Sequence, residues 1–289
     1  MDTETIVASI RAAVRAIGPN FNPDVLKQTR DIYRPHIAAS DPTIVARRNI
    51  EYGPHARHRF DLYRCGSGPR SVLVFIHGGG FVAGSKDEDG TFHRNVGEYF
   101  ARHGYAAIVP NYRLAPSDPW PAGAQDIDRL LRWVVDHNDS LDAIPHAINI
   151  VGQSAGASHV ATWLFDPTLK TFPRPNVEAV VLMAGFYKAG APLTPPIQSY
   201  FGADASIYAE RSPITHVAKE HPRLLLTIGE FDPGDMAQQT YLMAAALSKA
   251  DAASARLHWF AGHNHVSTVQ SLGCPQDDVG EVLRSFLAQ

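Results

Sequence analysis

Among 289 residues there are only two cysteines, Cys65 and Cys274, with no CxxC pair. A disulfide framework and a thiolate zinc cluster are thereby excluded, and two free thiols in a reducing compartment are the simplest expectation, with one bridge between them left open. No continuous apolar stretch of spanning length occurs. The beginning, "MDTETIVASIRAAVRAIG", is acidic before it is apolar, so neither a secretory signal nor a membrane span is expected there. Charge of one sign is also lacking. With 26 Lys and Arg against 29 Asp and Glu, the net charge of −3 offers no field for nucleic acid or an acidic membrane. Internal repeats and low-complexity tracts are missing too, which argues against a solenoid or a disordered chain. A cytoplasmic globular protein with neither nucleic acid nor membrane as partner is the expectation; the oligomeric state stays open.

What is present is a change of period. Ile6, Ile10, Val14 and Ile17 recur at helical spacing, "GPNFNP" interrupts, and "DVLKQTRDIYRPHI" resumes the pattern. From Arg47 the signal becomes short apolar runs of strand length: "RNIEYG", "RFDLYR", "SVLVFI", "AAIVP", "AINIV", "EAVVLM", "RLLLTI" and "ARLHWF". From the third onward they alternate with helical segments such as "RNVGEYFARHG", Ile127/Leu130/Leu131/Val134, Met236/Thr240/Met243/Leu247 and "DDVGEVLRSFL". Apolar strands alternating with helices predict an α/β fold: a mostly parallel eight-stranded sheet with helices on both faces. Sites in such sheets lie beyond the carboxyl ends of the strands.

Three of those loops carry chemistry. After "SVLVFI" comes "HGGGF", His77 to Phe81, whose consecutive glycines permit unusual dihedrals and close approach to a ligand. After "AINIV" comes "GQSAG", Gly152 to Gly156, leading into the helical "ASHVATWLF". This is G-x-S-x-G in strand–turn–helix context, which exposes Ser154 at a helix N-terminus where amides and dipole favour developing negative charge. A serine hydroxyl needs a base, and the base needs a partner that fixes its tautomer. "GEFDPG" after "RLLLTI" offers Glu230, Asp232 and Asp235, and "AGHNHVS" after "ARLHWF" offers His263 and His265. Serine, acid and histidine thus occur in that chain order, each beyond a strand.

"HGGGF", "NYRLAP" (Asn111 to Pro116) and "GQSAG" in series resemble the α/β-hydrolases of the hormone-sensitive-lipase-like group and its small carboxylesterase relatives, from about Arg47 to the end of the chain. The resemblance implies an α/β-hydrolase fold and a carboxylesterase with Ser154 as nucleophile, Asp232 of the D-P pair as acid and His265 as base. It also implies an oxyanion hole of the Gly79, Gly80 and Ala155 amides. Glu230 is the competing acid. His77 and "NYRLAP" are expected to shape loops. No cofactor or metal is implied: His263 and His265 lack further ligands at recognisable spacing. A small-molecule ester, short-chain or aryl, is the expected substrate.

One domain, 1–289, is expected, with the N-terminal helices (1–45) and the loop 186–216 as cap elements smaller than those of the larger relatives. Tyr187, Tyr200, Phe201 and Tyr208 in that loop either line a pocket or pack the loop down. "ARLHWF" ends the last strand in this reading, so both histidines fall in the loop after it and His263 is left at the rim, facing substrate or solvent. Two other functions fit the fold: amide hydrolysis, as by an arylformamidase, and ligand binding without chemistry. Esters of plant polymers are another substrate class. Peptidases of the prolyl-oligopeptidase kind share the serine turn, but "HGGG" with "YRLAP" points away from them.

Overall fold

The computed structural model describes residues 2–39, 41–66, 68, 71–137, 141, 148–169 and 177–289. Ala147, with which the fifth expected strand begins, lies outside them, as do Met1 and Ser40 of the expected N-terminal cap region. The eight strands form one sheet: β1 (Ile44–Glu51), β2 (Arg59–Cys65), β3 (Ser71–Ile76), β4 (Tyr105–Pro110), β5 (Ile148–Gln153), β6 (Val177–Met183), β7 (Arg223–Phe231) and β8 (Arg256–Asn264). Their order is β1-β2-β4-β3-β5-β6-β7-β8. Only the β1–β2 and β2–β4 pairings are antiparallel; from β4 to β8 every neighbour is parallel.

Alternation along the strands divides the core. Val72, Val74 and Ile76 of β3 point to one face and Leu73 and Phe75 to the other, and all five are buried. The first face is covered by α4 (Ala122–Asp136), α5 (Ala155–Phe165) and α8 (Gly234–Asp251), the second by α3 (Arg94–Arg102) and α10 (Asp278–Leu287). A central strand covered on both sides favours apolar residues on both faces, which is why β3 reads as a continuous run from Val72 to Ile76, while β5 keeps the buried polar Asn149 and Gln153.

Two helices precede the sheet. α1 (Thr3–Ile17) is capped by the Asp2 carboxylate, and α2 (Pro23–Tyr33) by the Asn22 side chain with proline at its first position. Ile10 and Val14 of α1 pack with Tyr33 of α2, Phe92 and Cys274, and α1 lies along β8. The 186–216 segment contains more order than a loop. It holds α6 (Pro195–Phe201) and α7 (Tyr208–Arg211), and Tyr200, Phe201 and Tyr208 are buried with Phe81 and Ala155. Between α10 and β8 sits the short α9 (Ser267–Gln270). Both cysteines are free; burial pushes the Cys274 thiol up to about 12. Among the described residues no helix is long and apolar enough to cross a membrane.

Candidate active site

Ser154 stands between the end of β5 and the start of α5 with φ 55° and ψ −124°, in the region that L-residues avoid. The turn is fixed on both sides. A Cβ on Gly156 would run into the carbonyl oxygens of Ile76 and His77, and one on Gly152 into the backbone of Ala157. The Ser154 amide donates to the Met183 carbonyl at 2.8 Å, tying the turn to β6. Strand, helix and neighbouring backbone therefore leave room only for glycine on either side of the serine, and the strain at Ser154 is held by packing.

The structure brings together residues from three strand ends. Ser154 Oγ lies 2.9 Å from His265 Nε2, and His265 Nδ1 lies 2.6 Å from Asp232 Oδ1. A carboxylate only accepts, so Nδ1–H donates to Asp232 and Nε2 is free to accept the serine proton. The other Asp232 oxygen accepts the Gly229 amide at 2.6 Å, so the carboxylate is held from both sides while 6% exposed. His265 is 2% exposed. Glu230 is not brought to the imidazole: it lies within β7, and its carboxylate accepts the Gly262 amide at 2.7 Å. Asp235 is exposed in the first turn of α8.

The glycine loop arrives from β3. Gly79, Gly80 and Phe81 have φ of 135°, 58° and 72°, and the Gly79 carbonyl accepts from Val82 and Ala83, folding the loop back on itself. A Cβ on Gly79 would strike the Ala83 carbonyl. Among the described residues no backbone carbonyl takes the amides of Gly79, Gly80 or Ala155. His77 is fully buried, stacks on Tyr112 with ring centroids 4.5 Å apart and donates from Nδ1 to the Gly78 carbonyl at 2.6 Å. Burial holds it well below the ordinary imidazole value, so it is a neutral wedge under the loop. "NYRLAP" secures the neighbouring chain. Asn111 Oδ1 accepts the Lys86 amide, Tyr112 donates to the His77 carbonyl, and Arg113 pairs with the buried Asp126 at 2.8 Å.

The expected position of His263 is wrong. β8 continues to Asn264, so His263 is a strand residue with no exposed surface, and His265 is the first residue after the strand. The rings also part company. His263 Nδ1 meets Ser267 Oγ at 3.1 Å, and Nε2 meets Asp278 Oδ1 at 3.1 Å and the Gln276 amide at 2.8 Å, all behind the site. It touches neither rim nor solvent. The aromatic residues of the 186–216 segment also resolve. Tyr187, Tyr200, Phe201 and Tyr208 are all buried, with Tyr200 stacked on Phe81 at 4.4 Å.

Other residues of the site escaped the sequence reading. Gln153, immediately before the serine, donates to the His265 carbonyl at 3.0 Å and so ties the base's backbone to the nucleophile's strand. Ser158 donates to the Ser154 carbonyl and accepts the Phe186 amide at 2.8 Å. Asn264 Oδ1 accepts the amides of Val266 and Ser267, closing the turn that presents His265. Phe21, from the α1–α2 linker, sets its ring edge-on to the His265 imidazole at 4.8 Å. An Asn at a strand's end, three before a Ser, is a readable turn signal; the Phe21 contact has none.

Comparison with known proteins agrees with this architecture. Residues 60–165 match the BD-FAE family model and residues 122–288 that of the prolyl oligopeptidase family. The second match covers more than half the chain and includes Ser154, Asp232 and His265, whereas "HGGG" and "YRLAP" lie before it. The juvenile hormone esterase of Heliothis virescens is 34% identical over 195 residues, 63% of this chain and 30% of that protein. The probable carboxylic ester hydrolase LipM of Mycobacterium tuberculosis is 28% identical over 256 residues, 80% of this chain and 56% of LipM. The chain thus spans only about a third to a half of these relatives. Among solved structures, esterase B from Lactobacillus rhamnosis superposes with a TM-score of 0.71 at 19% identity, covering 99% of this chain and 96% of that one. An arylesterase gives 0.70 at 17%, covering 98% and 96%. The chain has the α/β-hydrolase fold and belongs to the prolyl oligopeptidase family, whose model it matches from residue 122 to residue 288.

Proposed function

We propose that this protein is a serine hydrolase that cleaves carboxylic esters of small molecules through an acyl-enzyme. The observation that carries the reading is the unbroken hydrogen-bonded series Ser154–His265–Asp232 on a strained turn. In this mechanism His265 Nε2 takes the Ser154 proton as Oγ attacks the carbonyl carbon, and Asp232 steadies the imidazolium. The tetrahedral oxygen is received by the amides of Gly79, Gly80 and Ala155, which backbone carbonyls leave free. His265 then returns the proton to the departing alcohol oxygen, and water repeats the sequence to release the acid. Named esterase relatives and the fit to esterase structures support the same reaction class. The cytoplasm is the proposed location, on two unpaired cysteines.

The test is hydrolysis of p-nitrophenyl acetate and butyrate by the purified chain and by Ser154→Ala. The variant lacks the nucleophile and leaves His265 nothing to activate, while the oxyanion amides stay, so it is expected to lose at least about a thousandfold while keeping its fold. Retained turnover in Ser154→Ala refutes the reading. Amide cleavage has one observation in its favour, the prolyl oligopeptidase family match. A panel of ester, formamide and peptide substrates sharing one acyl group separates the two, with esters expected to lead.

A further inference from the structure

The linker between α1 and α2, residues 18–22, places an apolar side chain where stability alone gives it little reason to be. Phe21 is 41% exposed, yet its ring stands against an imidazole that is itself 2% exposed, with planes at 81°. The linker is not loosely draped. Asn20 Nδ2 donates to the Ile17 carbonyl at 2.8 Å, and Asn22 caps α2 through the Val25 amide at 2.9 Å, so both flanks of Phe21 are tied. The helices are in turn fastened to the segment carrying the base. Arg11 pairs with Asp278 at 3.2 Å, Asn264 Nδ2 donates to Thr29 Oγ1 at 2.9 Å, and Tyr33 OH donates to Gln276 Oε1 at 3.1 Å. Asp278 and Gln276 both also meet His263, one strand position away from Asn264. This chain of bonds references Phe21 to His265 through the backs of both elements.

We propose that Phe21 is a specificity residue forming the wall of the leaving-group side of the site, and that it selects esters of bulky apolar or aromatic alcohols. The inference rests on the serine-hydrolase reading above. In that chemistry the oxygen that leaves must come within about 3 Å of His265 Nε2 to receive its proton. The oxyanion meanwhile points to the Gly79, Gly80 and Ala155 amides, so the leaving oxygen's substituent is carried toward the imidazole side, where the Phe21 ring stands 4.8 Å from the imidazole centroid. A large alcohol group gains contact with that ring and a methyl group does not. Once acylation is complete the C–O bond is broken and the alcohol has gone, so the contact acts on acylation and not on the hydrolysis of the acyl-enzyme. A Phe21 that merely shielded His265 from water would affect both steps and every ester alike.

The experiment uses the full chain as wild type, Phe21→Ala and Phe21→Leu, with methyl, benzyl and 2-naphthyl acetates. In Phe21→Ala the kcat/KM ratio of naphthyl to methyl ester is expected to fall about tenfold, the discrimination one apolar contact supplies, with Phe21→Leu in between. Deacylation, followed by partitioning the common acetyl-enzyme between water and an added alcohol, is expected to change less than acylation. An equal loss for all three alcohols, or a loss in deacylation as large as in acylation, overturns the proposal. Ser154-dependent hydrolysis with a flat alcohol profile refutes Phe21 alone; no hydrolysis by the wild type refutes the hydrolase reading and this inference with it.

Discussion

His263 and His265 are two residues apart, and replacing each is expected to damage the protein in a different way. His263→Ala removes a ring with no exposed surface and three polar partners, Ser267, Asp278 and Gln276. Each partner keeps another bond: Ser267 to Asn264, Asp278 to Arg11 and Gln276 to Tyr33. The loss is therefore one or two net hydrogen bonds plus an imidazole-sized void, about 3 kcal/mol together. Unfolding entropy near 2.1 cal/mol/K per residue gives roughly 0.6 kcal/mol/K for 289 residues, so the melting temperature should fall by about 5 °C. Turnover per folded molecule should drop less than about tenfold, because general-base chemistry itself is untouched. His265→Gln, which refills most of the ring's volume, should lose about a thousandfold in kcat with the smaller melting shift. Calorimetry and steady-state kinetics on the same two preparations decide. A His263→Ala protein that melts with the wild type, or one as inactive as His265→Gln, would show that the buried network has been misjudged.

Asp232→Asn should cost about a thousandfold to ten-thousandfold in kcat by favouring the wrong tautomer of His265, and Glu230→Gln only a few-fold; the opposite ranking in an aryl-ester assay would move the acid to Glu230. Gly156→Ala places a methyl group on the Ile76 and His77 carbonyls, both backbone, so the purified variant should be inactive or fail to fold; wild-type kcat and melting temperature together would refute that. Burial lowers His93 to about 4 and His159 to about 3, with His77 moved the same way. Above pH 6.5 both folded and unfolded forms of these groups are neutral and contribute no slope. Below it the unfolded chain binds protons that the folded chain refuses, so stability should fall by about 1.4 kcal/mol per pH unit for each histidine until the folded values are reached. Chemical denaturation at pH 7, 6 and 5 should show this decline, and a flat or rising trend contradicts the buried neutral state.

The site was legible where its geometry is local. G-x-S-x-G declares itself because Gly152 and Gly156 are forced by contacts of one strand, one turn and one helix, all within a few residues. The ends of β7 and β8 were less readable. The expected strands stop where apolar residues stop, at Ile228 and Phe260. Backbone pairing needs no apolar side chain, and after an irregularity between Gly229 and Phe231 the ladder continues to Phe231 opposite Asn264. That extension moves His263 from an assumed loop into a strand. Its partners at 276 and 278, and theirs at Tyr33 and Arg11, come from the two ends of the chain, so no periodicity or spacing announces the burial. The same holds for Phe21. "GPNFNP" reads as a helix break, and only the packing of α1 along β8 carries it to His265.

In the proposed mechanism Ser154 is a nucleophile activated by His265. Reaction of the intact chain with an alkyl p-nitrophenyl phosphonate, followed by peptide mass spectrometry, tests it most directly. One adduct per chain is expected, located on Ser154, with matching loss of ester hydrolysis, and labelling slowed at least about a hundredfold in His265→Gln. A chain that remains unlabelled, or one labelled at another residue while Ser154 stays free, would contradict it.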